Sequence, residues 1–170
     1  MKKVNQHFNH YIFRISPRVF FIVNKDQVTI LGPFGVVNLD VSNRGIQLYT
    51  TIRFSKSITY NQSSLLKQAV MGVSCCHFLT LKLKGIGYRV EHVGQELHFK
   101  LGYSHPVEII IPNVILCECT KNQLKFKSAH FLLLKNFGTA LRRFRFPDRY
   151  KGQGVLYDEE IVYTKEGKKT

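Results

Sequence analysis

The first stretch whose residue types could do chemistry is Gly85–Arg89, which reads GIGYR. A dinucleotide-binding loop needs G-x-G-x-x-G between a strand and a helix, because this turn brings a helix N-terminus onto the pyrophosphate. Val90 stands where the third glycine is required, and a strand-like run follows it. The Gly-Lys-Ser/Thr triplet of a phosphate-binding P-loop does not occur in the chain either. The turn therefore either packs closely on a strand or brings its backbone near a nucleic acid.

Two further groups of residues could take part in hydrolytic chemistry. Ser104 and His105 are adjacent, but neighbours on an extended chain point to opposite faces and cannot form a nucleophile–base pair. The carboxylates Asp158, Glu159 and Glu160 are consecutive near the chain end, where sequence neighbours splay apart into solvent. A peripheral enzyme using either region stays as an alternative, but the sequence offers no triad, metal-ligand set or cofactor loop, and we predict no enzyme activity and no cofactor.

The four cysteines favour buried, reduced thiols over metal ligands. Cys75 and Cys76 are adjacent, and Cys117 and Cys119 are separated by one residue, so neither pair has the two-residue gap of a zinc knuckle. Cysteines two apart on a strand share a face and behave as small apolar residues. This pattern indicates a reducing compartment.

The strongest signal is a basic run from Leu141 to Gly154, which reads LRRFRFPDRYKGQG. Arginine and lysine neutralise phosphates, and the interleaved Phe144, Phe146 and Tyr150 could stack on bases or pack on sugars. Gly152 and Gly154 would let a backbone N–H come close to a phosphate. The alternative is the amphipathic end of a helix, with Phe144 buried and the arginines in solvent.

The charge of the whole chain supports a polyanionic partner. The 170 residues carry 25 Lys and Arg against 11 Asp and Glu, a net charge of +14. The excess lies in two regions, since residues 1–90 hold 12 basic against 2 acidic residues and residues 142–170 hold 8 against 5. Nucleic acid is the commonest partner of such a chain, and an anionic membrane comes second. No apolar run approaches the ~20 residues of a membrane span, and the pattern is that of a globular protein, so we predict no membrane partner.

The order of predicted elements is strands followed by a helix, repeated twice. Short β-rich runs precede a helical pattern at Ser63–Phe78, and a second set precedes another at Ala129–Phe144, which Pro147 ends. The stretch 46–52, IQLYTTI, reads as one strand. This order predicts an α+β fold of two tandem similar subdomains, each a small, mainly antiparallel sheet with one packed helix, and an extended basic C-terminal tail. We place a basic N-terminal arm at 1–17, the subdomains at 18–78 and 79–146, and the tail at 147–170. A cleaved presequence is the alternative for the arm.

Three motifs, in the same order and with matching gaps, resemble the bacterial-type family of large-subunit ribosomal protein six. They read LKLKGIGYRV (81–90), LGYSHPV (101–107) and FRFPDRYKGQGVLYDEEIVYTKEGKK (144–169), and the resemblance covers residues 18–170. It implies two duplicated α+β subdomains and no enzyme activity. It further implies binding to large-subunit rRNA near the translation-factor-binding side, by the sarcin–ricin region, through the second subdomain and the tail.

The predicted rRNA-binding residues come from the basic run and from this resemblance. The motifs and the basic run together contribute Lys82, Arg142, Arg143 and Arg149. Carried over from the family are Lys84, Gly85, Gly87, Tyr88, Ser104, His105, Arg145, Tyr150, Lys151, Gly152, Gln153, Gly154, Lys168 and Lys169. Metal ligands and catalytic residues are predicted to be absent.

The chain departs from the family where its second helix begins. The family usually has a polar stretch with Asp, Lys and Gln there, whereas Ser128–Asn136 reads SAHFLLLKN. Such an apolar helix could pack on a neighbouring ribosomal protein, and translation factors would lie nearby. Phe, Ile, Asn, Lys and Tyr total 59 residues against 29 for Gly, Ala, Arg and Pro, a bias toward A/T-rich codons. We therefore predict a mitochondrial ribosome in the matrix, with a plastid or bacterial ribosome, or a stand-alone basic RNA-binding module, as alternatives.

Overall fold

The chain divides into two compact units, Met1–Cys76 and His77–Thr170. The computed structural model describes residues 12–14, 17–23, 27–40, 46–48, 51–54 and 60–167. The boundary lies two residues before the one predicted at Phe78. Residues 12–14 of the predicted N-terminal arm form a strand, and the rest of that arm lies almost entirely outside the described residues.

The first unit contains six described strands and one helix. They are β1 (Ile12–Arg14), β2 (Phe20–Val23), β3 (Gln27–Gly32), β4 (Gly35–Asp40), β5 (Ile46–Leu48), β6 (Thr51–Phe54) and α1 (Tyr60–Cys75). The strands form two antiparallel sheets, ordered β2-β3-β4 and β1-β6-β5. Alternate residues of β3, Val28 and Ile30, are buried together with Val37 of β4, as period-two patterning requires. Helix α1 lies on β3 and β4 and buries Leu66, Ala69 and Val73.

The described residues of the second unit, 77–167, form seven strands and one helix. They are β7 (His77–Lys84), β8 (Arg89–Val93), β9 (Glu96–Lys100), β10 (Val107–Ile110), β11 (Leu116–Thr120), β12 (Gln123–Ser128), α2 (Phe131–Arg143) and β13 (Gly154–Tyr157). The two sheets are ordered β10-β9-β8 and β11-β12-β7-β13, and every pairing is antiparallel.

The two units share one plan, which confirms the α+β fold with two tandem sheet-and-helix subdomains. In each, the first strand pairs with the last strand before the helix, since β1 joins β6 and β7 joins β12. In each, a three-stranded meander lies between them in sequence, β2-β3-β4 or β8-β9-β10. The second unit differs by β13, which pairs with the other edge of β7.

The core of the second unit is built from its own strands and helix. Phe99, Leu124, Phe126 and Leu141 are among its fully buried side chains. The Phe126 and Phe137 rings meet edge to face with centroids 5.4 Å apart, a favoured aromatic geometry. Gly138 lets α2 approach β7 closely, because a Cβ there would lie 2.1 Å from the Leu79 Cδ2.

Several predicted boundaries are wrong. The first helix runs from Tyr60 to Cys75 rather than 63–78, because His77 and Phe78 already belong to β7. The single strand predicted at 46–52 is two short strands, β5 and β6, that pair antiparallel with each other. Part of the predicted tail, Gly154–Tyr157, is a sheet strand.

Candidate nucleic-acid interface

The loop Asp148–Gln153 follows α2 and closes on itself through its own hydrogen bonds. The Asp148 N–H donates to the Gln153 carbonyl, and the Gly152 N–H donates to the Asp148 carbonyl, each over 2.9 Å. The Asp148 carboxylate accepts hydrogen bonds from the N–H groups of Tyr150 and Lys151, each at 3.2 Å. Aspartate commonly caps the amides that follow it in a turn. The protein itself therefore sets the shape of this loop.

Both ends of the loop are fixed to the second unit. Before it, the Val155 N–H donates to the Arg145 carbonyl over 2.9 Å. After it, Gly154 is the register partner of Lys84 as β13 joins β7. Val155 and Leu156 are buried, so apolar contacts hold this strand in addition to its ladder. The loop is thus anchored at both ends to packed parts of the second unit.

Gly152 of the loop and Gly154, the first residue of β13, have a different role from the predicted one. Their expected role was to free backbone N–H groups for a phosphate, and this is wrong for Gly152, whose N–H is donated to Asp148. Gly152 has a φ of +65°, which favours glycine in this turn. A Cβ on Gly154 would lie 2.7 Å from the Pro147 Cα and 2.8 Å from the Phe146 carbonyl carbon. Glycine is needed there because two backbone segments cross.

Four exposed cations surround the loop. Arg149 and Lys151 lie on it, the Lys165 N–H donates to the Arg149 carbonyl over 2.9 Å, and a Cβ on Gly152 would lie 3.7 Å from the Lys84 Nζ. Within the described part of the chain, none of these four cations forms an ion pair. Tyr150, on the same loop, exposes 63% of its surface. The loop therefore combines unpaired positive charge with an exposed aromatic ring.

Two of the predicted contact cations are paired within the protein. The Arg142 guanidinium donates to the Glu160 carboxylate, whose second oxygen accepts the Tyr157 N–H at 3.2 Å. It also lies over the rings of Tyr157 and Phe146, at 5.3 and 5.7 Å from their centroids. Lys82 pairs with Asp158, with both side chains about half exposed. The acidic run near the chain end therefore supplies counter-ions for these two residues, which the sequence analysis missed.

A second group of predicted residues forms a small aromatic cluster. A Cβ on Gly85 would lie 2.5 Å from the buried Tyr88 ring, so this glycine makes room for a packed side chain. The Tyr103 hydroxyl donates to the Phe144 carbonyl over 2.7 Å, and the Arg145 guanidinium lies 5.1 Å from the Tyr103 ring centroid. Hydrogen bonding to Tyr103 is the largest cause that raises the pKa of Arg145. Tyr103 is not among the predicted site residues, although it stands beside Ser104 in the second motif.

The remaining predicted residues are exposed or lie outside the described chain. Ser104 and His105 are exposed in the connection between β9 and β10, and Arg143 is exposed at the end of α2. Gly87 has a φ of +74° in an exposed turn, and Gln153 is half-buried. Lys168 and Lys169 lie outside the described residues.

The cysteines form no disulfide, and all four are among the described residues. Burial, followed by the nearby Cys119 and Glu118, raises the pKa of Cys117 from 9.0 to about 12. Burial also raises the pKa of Cys119. The expectation of buried thiols is wrong for Cys75, which is exposed at the end of α1. The described residues contain no group of three His, Cys, Asp or Glu side chains arranged to hold a metal. None of the described helices is long and apolar enough to cross a membrane.

Similarity to individual known proteins identifies the family of the chain. No family model matches the chain. It is 34% identical over 158 residues to the large ribosomal subunit protein uL6 of Mesoplasma florum, covering 86% of this chain and 88% of the relative. It is 35% identical to uL6c of Phaeodactylum tricornutum (85% and 88% covered) and 36% identical to uL6 of Cellvibrio japonicus (78% and 77% covered).

The chain therefore belongs to the large ribosomal subunit protein uL6 family. Proteins of this family are structural components of the ribosome, so the chain is a ribosomal protein and not an enzyme.

Proposed function

We propose that this protein binds large-subunit rRNA through its second unit, with the loop Asp148–Gln153 as the centre of the contact. It does so near the translation-factor-binding, sarcin–ricin region, and it acts in the mitochondrial ribosome. In this role it contributes structure to the large subunit and supports translation.

The observation that carries the proposal is the unpaired positive charge on a self-supporting loop. Four cations surround a turn in which the N–H groups of Asp148, Tyr150, Lys151 and Gly152 all donate within the loop. These cations are Lys84, Arg149, Lys151 and Lys165. Cations without carboxylate partners release condensed counter-ions from RNA when they bind phosphates, and this release drives association. A rigid loop also loses little conformational entropy when it binds.

The paired cations have a different part in this proposal. Arg142 and Lys82 hold the chain after β13 against α2 and β7 through Glu160 and Asp158. Their charges are largely neutralised inside the protein, so they position the interface more than they attract phosphates. Lys82 and Asp158 are half exposed, so an RNA phosphate can still compete for that lysine.

The finer location of the protein rests on the sequence. The position near the factor-binding side follows from the motifs at 81–90, 101–107 and 144–169. The mitochondrial assignment follows from the A/T-rich codon bias and from the apolar start of α2, where Leu132 and Leu133 are exposed in a way that suits a protein neighbour. The relatives described above come from bacteria and plastids, which are the alternative locations.

Replacing one unpaired lysine tests the proposal. Lys151→Gln should weaken binding to large-subunit rRNA and lower the slope of log affinity against log salt by about one unit, because one phosphate contact is lost. Lys67→Gln is the matched control, since Lys67 is an exposed lysine of α1 with no ion pair among the described residues. Filter binding across a salt series measures both quantities.

An unchanged slope for Lys151→Gln would remove this residue from the interface.

Sucrose-gradient sedimentation of mitochondrial extracts tests the cellular assignment. The protein should sediment with mitochondrial large subunits and resist extraction with salt. Recovery of the protein in the soluble fraction would favour the stand-alone RNA-binding module instead.

A further inference from the structure

A groove separates the start of the loop from the chain that follows β13. One wall includes Phe146, Pro147 and Arg149, and the other includes Ile161, Tyr163 and Lys165. The ion-paired Arg142 and Glu160 also line the groove, so their charges largely neutralise each other there. Its volume is about 570 Å³, within the ~300–1,000 Å³ that protein pockets for small molecules usually have. The hydrogen bond from the Lys165 N–H to the Arg149 carbonyl joins the two walls.

Large apolar side chains line this groove and remain exposed. Tyr163 exposes 85% of its surface, Ile161 75% and Phe146 58%. Three such residues around one concave surface are unusual for a protein that works alone, because each would gain free energy if a partner covered it. Phe146 is held in place from one side by Arg142, which Glu160 fixes in turn.

The charged residues of the groove indicate which kind of partner would bind there. Arg149 and Lys165 form no ion pair within the described residues, so they attract an anion to the rim. Flat aromatic surfaces beside free cations match an unstacked nucleotide, whose base stacks while its phosphate meets the cation. Duplex RNA presents phosphates and sugars but keeps its bases stacked, so it would leave the aromatic rings unused.

We propose that this groove binds one unstacked nucleotide of RNA, with the base against Phe146 and Tyr163 and the phosphate on Arg149 and Lys165. This inference rests on the proposed function and adds a subsite to it. The loop cations contact the RNA backbone at large, whereas the groove captures a base that the RNA fold leaves unpaired.

Fluorescence anisotropy with two labelled RNAs tests the groove in the full-length protein. The probes are an oligoadenylate of about eight nucleotides, a usual length for a single-strand site, and a blunt duplex of about 16 base pairs. Phe146→Ala and Tyr163→Ala should each weaken oligoadenylate binding by roughly fivefold or more, since stacking contributes about 1–3 kcal/mol per base. The salt slope and the duplex affinity should stay unchanged, because no phosphate contact is removed.

Three further variants separate stacking from charge and from folding. Tyr163→Phe should keep the wild-type affinity, because the ring remains. Arg149→Gln should lower the salt slope by about one unit with either RNA. Phe78→Ala removes an aromatic side chain that is 69% exposed on β7 of the same unit, and it should change neither affinity.

The outcomes distinguish this inference from the proposed function. If Phe146→Ala and Tyr163→Ala leave oligoadenylate binding unchanged, or weaken the duplex equally, the groove is not a nucleotide subsite. Loss of binding to anionic vesicles in these variants, with RNA binding intact, would assign the groove to a lipid headgroup and overturn the inference. In either case the proposed function stands as long as the protein binds large-subunit rRNA. If the wild type fails to bind that rRNA, the proposed function itself falls.

Discussion

At the scale of single residues, residues of the same type in the basic run have different roles in the fold. Lysines and arginines in one basic run have two different environments, because Arg142 is paired with Glu160 whereas Arg149 and Lys151 are unpaired within the described chain. The glycines of the same motif serve the turn and the crossing of two backbone segments. Asp148, whose charge would weaken a phosphate site, shapes the loop by accepting two amide hydrogen bonds.

Gly154→Ala should destabilise the protein strongly. The new Cβ would meet backbone atoms of Phe146 and Pro147 within 2.8 Å, and the φ of +154° adds strain. We expect a loss of about 2–4 kcal/mol in the free energy of unfolding, from overpacking and strain together. Urea denaturation followed by circular dichroism measures it.

Gly94→Ala is the control for that substitution. Gly94 also has a positive φ, of +62°, but its Cβ would meet nothing within 4 Å. Only the strain of about 1 kcal/mol should remain. If the two variants lose the same free energy, the close backbone crossing is not what requires glycine at position 154.

At the scale of elements, β13 turns the predicted tail into part of the fold. Without it, β7 would present an unpaired edge, and exposed strand edges promote aggregation. The strand also buries Val155 and Leu156 and brings Asp158 and Glu160 to their cationic partners. The loop Asp148–Gln153 is therefore a connection between two packed elements, α2 and β13, with both of its ends fixed.

Truncation separates the two parts of the C-terminal segment. A chain that ends at Phe146 should lose on the order of 3–6 kcal/mol of unfolding free energy, because two buried apolar side chains are removed and the edge of β7 loses its partner strand. A chain that ends at Glu160 keeps β13 and both ion pairs and should unfold close to the wild type. Thermal unfolding of the three chains measures the difference, and equal stability of the two truncated chains would contradict this role of β13.

At the scale of the whole molecule, both units have the same strand order around one helix, and the second has one additional strand. Strand order and connections agree between the units, but only in the second does the described chain continue into a further strand on the edge of the first one. All of the residues predicted to bind rRNA belong to that second unit. The second unit therefore repeats the plan of the first and adds one strand, and the proposed rRNA contact lies on this second unit.

The second unit should fold without the first. Its buried core consists of residues between Leu81 and Val155, all within His77–Thr170. Residues 77–170 expressed alone should therefore unfold cooperatively in urea. They should also keep most of the affinity of the full chain for large-subunit rRNA at moderate salt. A non-cooperative transition, or dispersion lost from the amide NMR spectrum, would show that this core depends on the first unit.

The sequence by itself determined the family, the fold class and the position of most elements in the second unit. Alternation of apolar residues in β7, β9 and β12 and the apolar spacing of α2 are local patterns, and local patterns are readable in one dimension. The motifs at 81–90, 101–107 and 144–169 likewise carried the resemblance. The errors fell where neighbouring elements compete for a residue, as at His77 and Phe78, or where a short hairpin interrupts a β-rich run, as at 46–54.

Only the tertiary structure decided which charges are available and where the groove lies. Glu160 reaches Arg142 across 18 positions of sequence, and Tyr103 reaches Phe144 across 41. No local pattern records such a pairing, because it depends on β13 aligning with β7 and on the chain crossing at Gly154. The sequence shows how many cations the basic run contains. A cation is free to bind RNA, however, only if the fold places no carboxylate beside it.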